Sequence, residues 1–412
     1  MALVLKGLAI LTICSLGLAA CAKTDEPGAT QQQAGQPPGP VRIGISLPLT
    51  GDFAEPGKGI QEGYQVWADR VNAKGGLLGR KVELIFRDDA SDPNRVSSDY
   101  ESLITQDKVN LVFGPFSSRL VIPAAKVAES YGMLFVEPAG AAKEVFEQGF
   151  TRLFYAAPAI ASDHYNYLAD HIARLPAGQR PKTAAYASLD DPFAQGTAYG
   201  LRDRLAAAGV RTVVDEVYPP ETTDFAPIAA KIAAAKPDIV VGGTQFEDSV
   251  GLVRALQELK VQPKLAAFST GPTLAEFPAA VKGAAEHIVS PVGWSARSGF
   301  PGNDEMVRRY REMFRGEANE DAANGYTVGQ IVEAAVNAVK CAEPTKECQD
   351  ELARHIRQGT FDTVVGPLSF DDKGRPEQAH MIQQYVDGKV EIVLPEGSKA
   401  QTAKLVYPKK EW

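Results

Sequence analysis

Apolar residues in this chain follow two alternating rhythms. Short continuous apolar runs at 41–47, 81–86, 111–113 and 133–136 read as strands. Between them, apolar positions recur every three to four residues at 59–72, 94–106 and 117–131, which is helical spacing. In the first of these helices Ile60, Tyr64, Trp67, Ala68 and Val71 share one face. The pattern restarts with strands at 153–156, 183–188, 212–218, 239–242 and 265–268, and helices at 163–174, 193–208, 225–235 and 246–259. Strands that alternate with helices predict parallel sheets covered on both faces. Two such sets, parted near residues 157–161, predict an α/β chain with two doubly wound lobes.

After a strand at 287–292 the rhythm changes. Helices are predicted at 303–314, 324–339 and 349–358, followed by an extended stretch at 364–370 and strands at 381–386 and 390–394. Asp387-Gly388 between the last two is a hairpin signal. Elements that follow two complete lobes must return to one or both of them. The expected domains are therefore discontinuous: 41–157 plus 292–370 for one lobe, and 158–291 plus 371–412 for the other. Several crossovers between them imply a multi-strand hinge.

Composition fits this picture. Of 412 residues 44% are hydrophobic and 23% charged, a soluble globular mix, and the formal net charge is −8. No Lys/Arg cluster suggests a nucleic-acid surface. The N-terminal segment is different. Lys6 precedes an apolar run over 8–18 that is shorter than the roughly 20 residues a membrane span needs, and it fits the core of a secretory signal. Its end, Leu18-Ala-Ala-Cys21, resembles a bacterial lipobox. That resemblance implies a signal peptide over 1–20 and lipidation of Cys21; the other reading is an ordinary signal cut near Ala20. Residues 22–40, rich in Gln, Gly and Pro, read as a flexible tether. Of the four cysteines, Cys341 and Cys348 remain for the body. In an oxidising compartment they are expected to pair. The rival zinc reading lacks Cys-x-x-Cys spacing and a second pair.

Six motifs occur in order along the body: Ile43-Gly-Ile-Ser-Leu-Pro-Leu-Thr-Gly51, the segment 71–84 around Gly75-Gly76, Asp88-Asp-Ala-Ser-Asp-Pro93, Gly114-Pro-Phe-Ser-Ser118, Tyr218-Pro-Pro-Glu-Thr-Thr-Asp-Phe225 and Gly366-Pro-Leu-Ser-Phe-Asp371. Together they resemble the extracytoplasmic solute-binding proteins of the leucine/isoleucine/valine-binding type, over about 41–388. The resemblance implies a type I periplasmic-binding-protein fold, a Venus-flytrap. It implies a receptor that takes an amino acid of the branched-chain type, or a related small carboxylate, between two closing lobes. The receptor would deliver it to the permease of an ATP-driven importer, acting as a monomer in the periplasm or at the cell surface and touching the membrane only through its lipid. A ligand-sensing subunit of a membrane signalling system with the same fold is the alternative.

Open α/β sheets bind ligands beyond the carboxyl ends of their strands. Ser117 and Ser118 follow a strand and open a helix, where free N–H groups and the dipole favour an anion. The resemblance makes Ser118 the carboxylate contact. It makes the loop Ala139, Gly140, Ala141 a source of a backbone carbonyl for an ammonium, although Ala141 replaces a Thr frequent in the family. In the second lobe Phe193, Thr244 and Ser269 are the positions the resemblance points to, and Ser269 or Thr270 stands near the place of an acid that pairs with the ammonium. Phe53, Phe116 and Trp294 could also line an apolar pocket, although each reads as a core residue first.

Catalytic and metal signals are weak. The five histidines have no metal spacing, and His164 and His171 read as a solvated helix face. There is no Gly-x-Ser-x-Gly elbow, and Gly57-x-Gly59 follows Pro56 rather than a strand. Asp88, Asp89 and Asp92 read as a helix-capping turn. No enzyme, cofactor or metal is expected.

Overall fold

The computed structural model describes residues 39–398 and 400–410. The expected signal segment, lipidated Cys21 and most of the tether lie outside the described residues.

The first sheet contains β1 (Val41–Leu47), β2 (Val82–Asp88), β3 (Leu111–Phe113), β4 (Phe135–Glu137) and β5 (Leu153–Tyr155). All are parallel, in the order β2-β1-β3-β4-β5. Helices α1 (Ala54–Ala73), α2 (Pro93–Thr105) and α3 (Ser118–Ser130) connect them. The chain then forms α4 (Asn166–Arg174), β6 (Thr183–Leu189), α5 (Pro192–Ala207), β7 (Arg211–Tyr218), α6 (Ala226–Ala235), β8 (Ile239–Gly243), α7 (Phe246–Glu258), β9 (Leu265–Phe268), α8 (Phe277–Ala280) and β10 (Ile288–Val292). Helices α9 (Asn303–Phe314), α10 (Glu320–Val339) and α11 (Lys346–Gln358) and the hairpin of β11 (Phe361–Thr363) and β12 (Gly366–Leu368) follow, and then β13 (Met381–Val386) and β14 (Lys389–Leu394). The second sheet has the order β14-β13-β10-β9-β8-β6-β7, with β13 antiparallel to both its neighbours.

The inner strands of both sheets are buried on two faces, which is why they read as near-continuous apolar runs, while the edge strands β2 and β7 are mostly half-buried or exposed. In the second sheet the two-residue period is explicit. Ala185, Val240 and Ala266 face one apolar cluster with α6 and α7, while Ala184, Val241 and Ala267 face another with α4 and α5. The core of the first sheet gathers residues from 41–161 together with Trp294 and positions within 306–370.

One contact in that core decides where α10 sits. Gly63 of α1 lies so close to α10 that a Cβ on it would fall 2.0 Å from the Ala322 carbonyl oxygen. A Cβ on Gly325 would fall 2.6 Å from the Ile60 carbonyl oxygen, and one on Gly329 would meet the Trp67 ring at 2.2 Å. Glycine at these positions lets two 20-residue helices touch along their backbones. The first turn of α10 is thereby fixed against the first sheet.

The chain passes between the sheets three times, after β5, after β10 and after β12. These passages run together: Tyr155 N–H donates to the Gly374 carbonyl (3.1 Å) and Gln378 N–H to the Pro158 carbonyl (3.1 Å).

Some boundaries differ from the sequence expectation. Helix α1 begins at Ala54, not 59, because Pro56 falls in its first turn, where no N–H is needed. Helix α10 begins at Glu320 rather than 324, since Asn319 caps it by accepting from Ala322 N–H (2.9 Å). The stretch at 364–370 resolves into a turn and β12. Asp92 caps α2, accepting from Asn94 N–H at 2.7 Å, with Pro93 following. Cys341 and Cys348 form a disulfide between α10 and α11.

Candidate functional site

Beyond the carboxyl ends of β3, β4, β5, β6, β8 and β9 lies a narrow cleft. Phe116, Ser117, Pro138, Ala139 and Tyr155 line it from the first sheet, and Phe193, Gln245, Ser269, Thr270 and Thr273 from the second. His164 and His380, on two of the passages between the sheets, and Glu320, Asp321 and Asn324 of α10 complete it.

Ser117 is the N-cap of α3, in an extended conformation, and it is 1% exposed. Its Oγ is buried and has no hydrogen-bond partner among the described residues. The first N–H groups of the helix point the same way, so this end of the cleft offers donors and a partial positive charge. Ser118 is a correction to the expectation. It is fully buried, and its Oγ accepts from Ala142 N–H (2.9 Å), so it anchors the neighbouring loop instead of facing the cleft.

That loop is shaped by Glu137, which accepts N–H groups from Ala139 (2.8 Å) and Gly140. Burial pushes the Glu137 carboxyl up to about 8, and the two N–H donors oppose the shift. The bonds turn Pro138 and Ala139 into the cleft. Gly140 and Ala141 lie behind the wall, where the Ala141 carbonyl accepts Ala161 N–H at 2.7 Å.

In the second lobe Asp191 caps α5, accepting from Phe193 and Ala194 N–H groups at 3.0 Å each. This presents the Phe193 ring edge-on to His164, 5.7 Å away, and against the core of the first sheet. Ser269 lines the cleft, but its hydroxyl is committed. It accepts Thr244 N–H (2.7 Å) and donates to the Thr244 carbonyl (2.8 Å), so it ties the tips of β8 and β9 together. Thr244 is fully buried behind it and does not line the cleft, a second correction. Of the other aromatic candidates, Phe116 lines the cleft and Phe53 packs edge-on behind it at 5.5 Å. Trp294 donates to Asn303 Oδ1 (2.7 Å) away from the cleft.

The histidines are the third correction. His164 is 5% exposed and sits before α4, not on a solvated helix face. Its ring stacks on that of His380 with centroids 3.9 Å apart. Burial lowers both, His380 to about 3, so both are neutral near pH 7. His171 is half-buried beside Glu396, at 3.2 Å.

Glu320 and Asp321 were not anticipated as site residues. Asn319-Glu-Asp before an apolar run reads simply as a helix start, and nothing local reveals that this start faces a cleft. Glu320 Oε1 accepts Gly293 N–H (2.7 Å) and lies 3.5 Å from His380 Nε2. Burial raises Glu320 to about 7, and burial with the Glu320 charge raises Asp321 to about 8. Among the described residues no cluster of three or more His, Cys, Asp or Glu side chains could hold a metal ion.

Over residues 40–389 the sequence matches the model of a protein family described as periplasmic binding protein. The chain belongs to this family of solute-binding proteins. The family assignment places this binding protein outside the cytoplasm. A Leu/Ile/Val-binding protein homologue of Brucella suis is 28% identical over 351 residues, covering 82% of this chain and 88% of the relative. Two solved structures share the fold. One is a Rhodopseudomonas palustris ABC-transporter solute-binding protein in complex with benzoate, with TM-score 0.75, 19% identity, and coverage of 89% of this chain and 100% of that one. The other is the branched-chain amino acid transporter substrate-binding protein LivJ of Streptococcus pneumoniae in complex with isoleucine, with TM-score 0.74, 22% identity, and coverage of 90% and 100%. The likenesses establish the type I binding-protein fold for this chain.

Proposed function

We propose that this protein is the solute receptor of an ATP-driven importer. It takes a small organic carboxylate, an amino acid or a related compound, between its two lobes and hands it to a membrane permease. The observation that carries this reading is the donor end of the cleft. Ser117 stands at the N-cap position of α3, and its buried hydroxyl makes no capping bond and has no partner among the described residues, beside free helix N–H groups. A buried polar group without a partner is costly, and a bound carboxylate supplies the missing acceptor. Phe116, Tyr155 and Phe193 give the rest of the solute an apolar seat. The three passages between the sheets form the hinge of two lobes, 41–157 plus 292–370 and 158–291 plus 371–412. Solute that contacts both lobes favours the closed form, which docks on the permease as a population shift. The solute is released unchanged, and the receptor acts as a monomer held to a membrane by lipid on Cys21.

Calorimetry and thermal shift on the mature protein, against amino acids and aromatic carboxylates, test the receptor reading. A solute at 100 times its Kd stabilises the folded form by about 2.7 kcal/mol, and Ser117→Ala is expected to weaken binding about tenfold or more. A folded protein that responds to neither set would sink the reading. For the anchor, the mass of the N-terminal peptide should carry a diacylglyceryl group on Cys21, and Cys21→Ser should release the protein from membranes. An unmodified N-terminus would remove the anchor.

A further inference from the structure

The geometry points to a cation-recognising subsite at the first turn of α10, where Glu320, Asp321 and Asn324 take a protonated amine of the solute. This rests on the receptor reading above and narrows it: the solute is amphoteric, with its carboxylate at Ser117 and its ammonium at α10.

Acceptors crowd this end of the cleft. Two carboxyls, Glu320 and Asp321, line it side by side, and no Lys or Arg lines it with them. Glu320 Oε1 accepts one N–H, from Gly293. The Asp321 carboxyl makes no hydrogen bond or ion pair with any other described residue, although its backbone belongs to α10. One turn further on, Asn324 is 6% exposed and its Oδ1 is buried without a partner. The two histidines add to the same wall. His164 Nε2 lies 3.0 Å from the Ala159 carbonyl, so its proton resides there and Nδ1 is a bare acceptor. His380 turns Nε2 toward Glu320 and leaves Nδ1 bare as well. Both Nδ1 atoms are buried and unpartnered, on residues 5% and 2% exposed.

A nitrogen-free carboxylate has no donor to offer this wall. An ammonium has three. The helix end itself carries about half a positive charge, which two ionised carboxylates outweigh. Burial, and for Asp321 the Glu320 charge as well, holds both carboxyls above their usual range, and a nearby cation reverses that shift, so binding the amine releases protons. A metal ion is the other cationic occupant to weigh, and the described residues offer no ligand cluster for one. Glu320 also connects the subsite to the hinge. It holds Gly293 on one passage and faces His380 on a second, and His380 stacks on His164 of the third.

The test compares matched probes on the unaltered mature protein by calorimetry: the twenty amino acids and 4-aminobutyrate against 4-methylpentanoate, butyrate and benzoate. The expected result is binding of at least one amine-bearing probe about a hundredfold tighter than its nitrogen-free counterpart. At pH 7.5 the binding heat should vary with the ionisation enthalpy of the buffer, reporting proton release. Glu320→Gln and Asp321→Asn should each weaken the amine-bearing probe about tenfold, and its advantage over the nitrogen-free counterpart should shrink by at least that factor. Benzoate or another nitrogen-free acid binding as tightly as its amine-bearing match overturns the subsite and leaves the receptor reading standing. No binding by either set, in a folded protein, overturns both.

Discussion

Trp67→Ala is expected to destabilise the unliganded protein by about 3–5 kcal/mol, the range for emptying a large buried aromatic site. Trp67 is fully buried on α1, its ring 5.4 Å from that of Phe113 under β3 and pressed against Gly329 of α10. Its indole N–H donates to Glu333 Oε2 (3.1 Å), which also pairs with Arg70. Alanine leaves a void bounded by a glycine on one side and a strand on the other. Neither has a side chain free to fill it, because the backbones of α1 and α10 already touch. The loss also has a functional address. The same seam fixes the first turn of α10, which faces the cleft. Urea unfolding gives the number, with a shifted midpoint and an unchanged slope. A shift below about 1 kcal/mol would mean that α10 is seated by other contacts.

The alternation of apolar runs was enough to read the two lobes, because parallel strands buried on both faces leave a period that local sequence carries. The donor end of the cleft was half legible. A Ser-Ser pair after a strand announces an N-cap, but which hydroxyl faces the ligand depends on the next loop. Ala142 N–H claims Ser118 and leaves Ser117 free. Ser269 reads as a ligand group in the sequence; it lines the cleft, and its hydroxyl closes on Thr244, a contact 25 residues away. The acceptor end was not legible at all. Glu320 and Asp321 look like ordinary first-turn acids, and His164 and His380 are 216 positions apart in a sequence that gives no hint of their stacking. Local pattern reports burial and capping. It does not report which cap opens onto the cleft, since that is set by the passages between the lobes.

Between pH 6.5 and 8.5 the unliganded protein is expected to lose stability, by an amount that a bound amine-bearing solute reduces. Burial raises Asp89, Asp248 and Glu320 to about 7 and Glu137 and Asp321 to about 8, and it raises Asp99 and Asp191 as well. Their unfolded values lie near 4. Above pH 6.5 the folded state therefore holds protons that the unfolded chain has already lost, and stability falls as pH rises through the folded values. The buried histidines act in the opposite direction, but at lower pH. His380, at about 3 when folded and near 6.5 unfolded, lowers stability as pH falls below 6.5, and His164 shares that sign. The two effects separate at about pH 6.5. Each fully retained proton contributes a slope of about 1.4 kcal/mol per pH unit, so a drop in Tm of about 5 °C across the window is the expected scale. Asp321→Asn removes one titrating group and should flatten the slope without altering the acid limb set by the histidines. An unliganded protein whose Tm is level from pH 6.5 to 8.5 would mean that these carboxyls are already ionised and paired. The acceptor wall would then be satisfied from within the protein, with nothing left for a solute to supply.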